Sequence, residues 1–402
     1  MGREVTRLPG AEPDSVDQIV LHVDMDCFYA ACERVREPKL RGEPVIIGMG
    51  YDTESQTGAV ATASYEAREY GVESAQPISK ALEILPNREQ DAPVEGPTAY
   101  YRPVDMGYYK DVSSAAQNLL AASADTLRIV SIDEAYLDIT PEATWEDVEV
   151  YVENLKAEIT DRTGVTASVG VAPNMSTAKI ASDYNKPDGS TIVPPGEVRE
   201  FLAPLSIEQI HGIGPVTAGK LREMGYETAG DLAGASSHRV VERFGERGRE
   251  MQERARGIDR REVTPMGKPK SLSRESSVSP LTAYDEKRAV IQRLAQAVAE
   301  RASSKDARYR TIGIKIVETP FELHTRETSL PGPIADAGLV ESTALELLRE
   351  FESTEVRKLG VRVSNLEFSQ YRQLRLDEWT PPEWAIRTTD RRLGQQRLRD
   401  YD

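Results

Sequence analysis

Apolar and polar positions change period repeatedly along the chain, and each change marks an element. "QIVLHVDMDCFYAACERV" opens as an apolar strand over 18–24 and takes up helical spacing near Phe28. "EPVIIG" predicts a second short strand after a Pro/Gly turn. "TGAVATASYEAREYGV" predicts strand then helix, and "PISKALEILP" a short amphipathic helix stopped by Pro86. A long helix is expected over 103–122, followed by "LRIVSIDEAYLDIT", which reads as a buried strand. "TWEDVEVYVENLKAEITDRTG" predicts a helix closed by Gly164. "VTASVGVAP" predicts a strand, and "NMSTAKIASDYNKPDG" a capped helix and a turn. Such alternation belongs to an α/β or α+β domain.

After "PPG" at 194–196 the texture changes. Residues 197–257 read as several short helices with Gly turns, and "TPMGKPKS" (264–271) has linker composition. Residues 272–369 alternate strand, long helix, two strands, helix and strand, as expected of a small α+β domain. Residues 1–17 form a polar leader. The stretch 370–402 is polar without a core pattern and is expected to be disordered. At 402 residues the chain exceeds one core, so two to four domains are expected.

Charge complicates the picture. The net charge of −16 argues against a nucleic-acid partner when taken alone. Its distribution says otherwise: residues 1–193 carry 33 acidic and 16 basic side chains, whereas 194–370 carry 27 of each. Lysine is scarce, 13 against 37 arginines. Excess acid with little lysine resembles proteins of salt-loving organisms, whose surfaces are acidic whatever they bind. No apolar run of about 18 residues predicts a membrane span. Cys27 and Cys32 lie close together, with no sign of a disulfide framework or zinc site, so a reducing cytoplasm is expected.

The candidate chemistry rests on acids in strands: Asp24 in "HVDMD" and the doublet Asp133–Glu134 in "SIDEAYLD". Burying two adjacent carboxylates is costly unless something compensates their charge. Oxygen ligands of this kind suit Mg²⁺, and a bound dication would offset the charge. Acids at strand ends also serve as turn residues or as partners of arginine. Geometry adds a difficulty, because adjacent strand residues point to opposite faces. Asp133 and Glu134 can share a cluster only if the chain turns or bulges there. Spacing alone selects Asp26, two residues along, as the companion of Asp24.

"VDMDCFYA", "AVATASYEAR", "SIDEAYLD" and "TASVGVAPNMSTAKIASDYNKPDG" occur in the order and approximate spacing of Y-family DNA polymerases, nearest the DinB, or polymerase IV, branch. The likeness covers residues 18–369. It implies an α+β multidomain right hand: palm (18–27 and 96–193), fingers (28–95), helix-hairpin-helix thumb (194–257), linker (258–269) and α+β little finger (270–369). It implies a translesion polymerase of low fidelity that adds deoxynucleotides to a primer by two-metal-ion chemistry. Nothing in the chain is left over for a 3′–5′ exonuclease. The metal-binding acids would be Asp24, Asp133 and Glu134, with the main-chain carbonyl of Met25, around two Mg²⁺ ions. Asp26 is not among the ligands that the resemblance implies. Tyr29 would be the steric gate against ribonucleotides. Phe28, Thr62, Tyr65, Arg68 and Lys186 would meet the incoming dNTP.

"IHGIGPVTAGKLREMG" resembles a helix-hairpin-helix, two short helices around a G-I-G turn whose amides approach a DNA phosphate. Gly212, Gly214 and Lys220 are its expected DNA contacts. The nearby Arg-rich run at 239–261 reads as a salt-laced solvated helix. In the little finger, Ser271, Ser273, Arg274 and Arg326 are expected on primer-template DNA. The tail carries Gln373-Leu376-Trp379 and Gln395-Leu398-Tyr401, two copies of a pattern resembling sliding-clamp peptides. A monomer without membrane attachment is expected. Two other readings are a non-catalytic DNA- and clamp-binding scaffold of the same fold and another palm-type nucleotidyltransferase, such as a nucleotide cyclase. Intact Asp24, Asp133, Glu134 and Tyr29 weigh against the scaffold, and the helix-hairpin-helix and little finger weigh against the cyclase.

Overall fold

The computed structural model describes residues 18–52, 57–89 and 95–368. The chain divides into two compact units, with the boundary between Gly267 and Lys268. In the first, β1 (Val20–Met25) leads into α1 (Phe28–Arg36). An antiparallel pair, β2 (Val45–Asp52) and β3 (Thr57–Ala63), is followed by α2 (Tyr65–Arg68), α3 (Ile78–Ile84) and β4 (Tyr100–Pro103). Next come α4 (Met106–Ser123), β5 (Thr126–Ile129), β6 (Glu134–Asp138), α5 (Val148–Thr163), β7 (Ala167–Ala172), α6 (Met175–Tyr184) and β8 (Ser190–Ile192). The unit closes with α7 (Val198–Leu202), α8 (Pro215–Glu223), α9 (Ala229–Gly234), α10 (Ser237–Phe244) and α11 (Glu246–Ala255).

The main sheet runs β5-β6-β1-β7-β8. β1 and β7 lie inside it and are buried at every position, as their near-continuous apolar sequences require. Side-chain alternation divides β1 between two cores. Leu21, Val23 and Met25 pack with Leu120, Val152 and Ile159 of α4 and α5. Val20 packs on the other face with Met175, Ala178 and Ile180 of α6. His22 and Asp24 therefore face α6. Gly170 of β7 lets that helix come close: a Cβ there would stand 2.1 Å from the Ala178 carbonyl oxygen.

A smaller sheet, β3-β2-β4, packs on α2 and α3 through Ile46, Val60, Ala67 and Ile78. The short helices α7–α11 share the core that includes α6. Both cysteines are free and buried. Burial pushes their thiols up, that of Cys32 to about 12.

The second unit contains β9 (Ser271–Leu281), α12 (Tyr284–Ser303), β10 (Ala307–Glu318), β11 (Glu322–Ile334), α13 (Ala337–Leu348) and β12 (Val356–Phe368). Its antiparallel sheet has the order β11-β10-β12-β9, with α12 and α13 packed on one face. β11 continues through Pro331, Gly332 and Pro333, four residues beyond the expected end at Leu330. A strand at a sheet edge tolerates such residues, since half its amides need no partner. Among the described residues no helix is long and apolar enough to cross a membrane.

Candidate active site

The doublet "DE" does not lie inside a strand. β6 begins at Glu134, and Asp133 belongs to the bend joining it to β5. Ser131 makes the turn. Its hydroxyl donates to Asp133 Oδ1 at 2.5 Å and accepts the amides of Asp133 and Glu134 at 3.2 and 3.0 Å. The amide of Met25 then donates to the Asp133 carbonyl at 3.0 Å, tying the bend to the end of β1. The expected continuous strand through 131–138 is thus corrected to a hairpin, and the departure from regular strand is present at the doublet.

Glu134 is the direct cross-strand partner of Asp24. Lys179 of α6 bridges the two, with its ammonium 3.3 Å from Asp24 Oδ2 and 3.2 Å from Glu134 Oε1. Lys186 approaches Asp24 Oδ2 at 2.8 Å and Asp183 at 2.7 Å. His22, fully buried, shares 2.7 Å with the Ser182 hydroxyl through Nδ1 and sets Nε2 3.7 Å from Glu134 Oε2. One candidate ligand atom each from His22, Asp24 and Glu134 lies within 4.8 Å of the others.

Electrostatics separates the acids. The imidazole of His22, then the ammonium of Lys179, outweighs burial and holds Glu134 down at about 2. Burial raises Asp133 above the ordinary carboxylate range, and the charges of Asp24 and Glu134 add to that. Burial opposes charge on Lys179 and Lys186, but the surrounding acids prevail and raise both. A cation placed among these carboxylates would relieve the strain on Asp133. The donor chemistry therefore fits a divalent metal.

Asp26, which spacing placed beside Asp24, has another task. It is 4% exposed and accepts four hydrogen bonds: from the Tyr65 and Thr166 hydroxyls at 3.2 Å, and from the Ser168 hydroxyl and Asp188 amide at 2.8 Å. Its acceptor capacity is spent on joining β1, β7, α2 and the turn after α6.

The remaining candidates divide. Tyr29 is half-buried and stacks on Tyr109, with centroids 4.6 Å apart and planes at 15°. Tyr109 in turn donates to Glu33 at 2.8 Å. Phe28 is 2% exposed, and its ring belongs to the core. Cys27 before it adopts a left-handed φ of 43°, the turn that points the start of α1 away from the strand. Arg68 lies over the Tyr65 ring at 5.0 Å and donates to the Ala63 carbonyl at 3.0 Å. Thr62 sits on β3 opposite Ile47.

In the helical segment, Gly212, Gly214 and Lys220 are exposed, and Gly212 has a φ of +90°. The first helix of the expected hairpin is a single 3₁₀ turn, Ile207–Gln209. The Arg-rich run is more than a solvated surface: Arg247 and Arg254 donate to the Gly212 and His211 carbonyls at 3.1 and 3.3 Å. In the second unit a groove of about 420 Å³ is lined by Ser271, Ser273, Glu275, Lys315, Arg326 and Arg362. Arg274 and Arg326 alternate to the opposite face of the sheet, where the Arg326 guanidinium donates to Glu350 at 2.7 Å and lies over the Phe351 ring, turned away from the groove that its main chain borders. Both clamp-like motifs, at 373–379 and 395–401, lie outside the described residues.

The family model for impB/mucB/samB proteins matches residues 23–183, that for their C-terminal domain 269–376, and that for the IMS family HHH motif 195–226. The chain is 56% identical to a DNA polymerase IV of Halobacterium salinarum over 92% of its own length and 90% of the relative's. It is 42% identical to a DNA polymerase IV of Methanoculleus marisnigri over 90% and 98%. The chain belongs to the Y-family DNA polymerases, in the polymerase IV branch. Among solved structures, a Y-family polymerase chimera, Dbh-Dpo4(243-245)-Dbh, is similar with a TM-score of 0.77 at 30% identity, covering 87% of this chain and all of that one. DinB from Sulfolobus solfataricus is similar with a TM-score of 0.59 at 30% identity, with the same coverage. The polymerase right hand is therefore the fold of this chain, and its activity is that of a DNA-directed DNA polymerase. Within that Y-family frame, the side chains that sequence reasoning passed over are His22 and Lys179. Both had a signal. His22 precedes Asp24 by two on one strand face, and Lys179 shares a helix face with Asp183.

Proposed function

We propose that this translesion polymerase adds deoxynucleotides to a primer 3′ end at the cluster of Asp24, Asp133 and Glu134. The supporting observation is the register that sets Glu134 across from Asp24, with Asp133 on the turn beside them. These acids, with the Met25 carbonyl, would hold two Mg²⁺ ions, which when bound activate the 3′-hydroxyl and neutralise the leaving pyrophosphate. His22 stands 3.7 Å from the Glu134 carboxylate, and Lys179 fixes both acids from the α6 side.

The triphosphate would lie against the start of α1, where the amides of Phe28 and Tyr29 face an anion favourably. Arg68 and Lys186 supply positive charge, Thr62 a hydroxyl, and Tyr65 a phenol already aimed by Asp26. Tyr29 would select the sugar, since its stack on Tyr109 leaves it little freedom to swing away from a 2′-hydroxyl. Fingers built from helices of 9, 4 and 7 residues offer few side chains to inspect a nascent pair, in keeping with error-tolerant synthesis. Gly212, Gly214 and Lys220 would hold primer-template phosphates, as would Ser271 and Ser273 along the groove; Arg326 would have to leave Glu350 to do so. One tail motif, Gln395-Leu398-Tyr401 or else Gln373-Leu376-Trp379, would bind a sliding clamp, and the enzyme would act as a cytoplasmic monomer.

Primer extension with Mg²⁺ in molar KCl, comparing wild type with Asp133→Ala, tests the assignment. Equal extension by both overturns it.

A further inference from the structure

Far along the sequence from the acid cluster, the β10–β11 hairpin carries another group of metal-ligating side chains. Glu318 ends β10, Glu322 begins β11, and the two are direct cross-strand partners. Like charges so placed repel. His324, two residues along β11, lies on the same face as Glu322. Its Nε2 is 3.5 Å from Glu318 Oε1 and 3.7 Å from Glu322 Oε1, too far for good hydrogen bonds. That nitrogen is shut off from water and has no hydrogen-bond partner. The ring is steadied by Phe351, with centroids 5.5 Å apart.

The neighbouring cations are committed elsewhere. Arg326 donates to Glu350 at 2.7 Å. Arg357 donates to the Pro320 carbonyl at 2.8 Å and covers the Phe321 ring. Among the described residues, no lysine or arginine lies within ion-pair distance of Glu318 or Glu322. Two opposed carboxylates with one imidazole nitrogen aimed between them form an incomplete charge arrangement, short of a cation.

We propose that Glu318, Glu322 and His324 form a transition-metal site that staples the tip of this hairpin. One imidazole and two carboxylates suit Zn²⁺, Co²⁺ or Mn²⁺, whereas Mg²⁺ prefers oxygen ligands alone. One ligand atom from each residue lies within 4.8 Å of the other two. A metal about 2.0–2.2 Å from each draws them slightly closer. Glu322, with its side chain 71% exposed, is free to make that adjustment. A dication would cancel the repulsion between the paired carboxylates and pin the edge strand β11 to β10. β10 also carries Lys315 along the groove.

The test uses the full-length chain carrying Asp24→Asn and Glu134→Gln, which removes the acid cluster as a competing site. Co²⁺ titration, followed by visible absorption and calorimetry, should show one bound equivalent. Zn²⁺ should displace it, and millimolar Mg²⁺ should not. Adding His324→Ala or Glu322→Gln should each weaken binding at least tenfold. Glu322→Gln changes an exposed residue and guards against misreading a folding defect. Absence of stoichiometric Co²⁺ binding overturns the site, as does unchanged affinity in either added variant.

Discussion

Asp24 and Glu134 face each other across adjacent antiparallel strands, and a single lysine, Lys179, reaches both carboxylates. Asp133, chain neighbour of Glu134, lies on the bend that Ser131 makes in the backbone. Replacing Asp24 or Glu134 by its amide, or Asp133 by Ala, should lower primer extension at least about a hundredfold, since even outer partners of a metal ligand are worth 10–100-fold. Primer-template affinity, read by fluorescence anisotropy, should change little. Full activity in any one variant removes that residue from the cluster.

Ser131→Ala probes the bend itself. It removes the hydroxyl that accepts both doublet amides. Extension should fall about tenfold, with the Mg²⁺ requirement shifted to higher concentration. A variant with wild-type Mg²⁺ dependence would mean that the turn holds without Ser131.

Tyr29→Ala should admit ribonucleotides, raising their incorporation relative to deoxynucleotides by at least about tenfold, the scale of a removed steric clash. Tyr109→Leu should have a weaker effect in the same direction, because it takes away the ring on which Tyr29 stacks. Single-nucleotide insertion kinetics with matched dNTP and NTP pairs distinguish the two. Unchanged sugar selectivity in Tyr29→Ala excludes the gate.

Acid stability should report Glu134. Its folded pKa is about 2 against an ordinary 4.5, lowered chiefly by His22 and Lys179. A depressed carboxyl contributes stability in full above pH 4.5 and loses it as pH falls toward 2. The difference in unfolding free energy between wild type and Glu134→Gln, in EDTA, should therefore shrink over that interval by roughly 2–3 kcal/mol. Urea midpoints at successive pH values measure it, and a difference that is constant with pH contradicts the prediction.

Glu275 occupies the groove proposed above for DNA, with Lys315 at 3.0 Å and Lys358 at 3.7 Å. If DNA lies there, Glu275 competes with phosphate for both. Glu275→Gln should tighten DNA binding and steepen its logarithmic salt dependence by about one. A flat response would place DNA away from this groove.

Much of this architecture was legible from periodicity, because buried strands and amphipathic helices carry it in their composition. The acids and Tyr29 stood out through motif order. The local geometry did not. Nothing in "SIDEAYLD" announces that Ser131 will consume two amides and end one strand before another begins. Asp26 matched the strand period of Asp24 but was claimed by donors 39 to 162 residues distant, which no local window contains. Arg247 and Arg254 looked like solvated helix charges, yet they reach back to brace Gly212 and His211. Where long-range partners decide a side chain's role, spacing ranks candidates but does not choose among them.

The two cysteines add a practical asset. Cys27 and Cys32 are the chain's only thiols, both enclosed and both shifted away from the reactive thiolate. A probe attached to a cysteine introduced on the surface will have no native competitor. Such a probe, placed in either unit, can report in real time on that unit as the enzyme extends a primer, without first stripping the natural residues from the core.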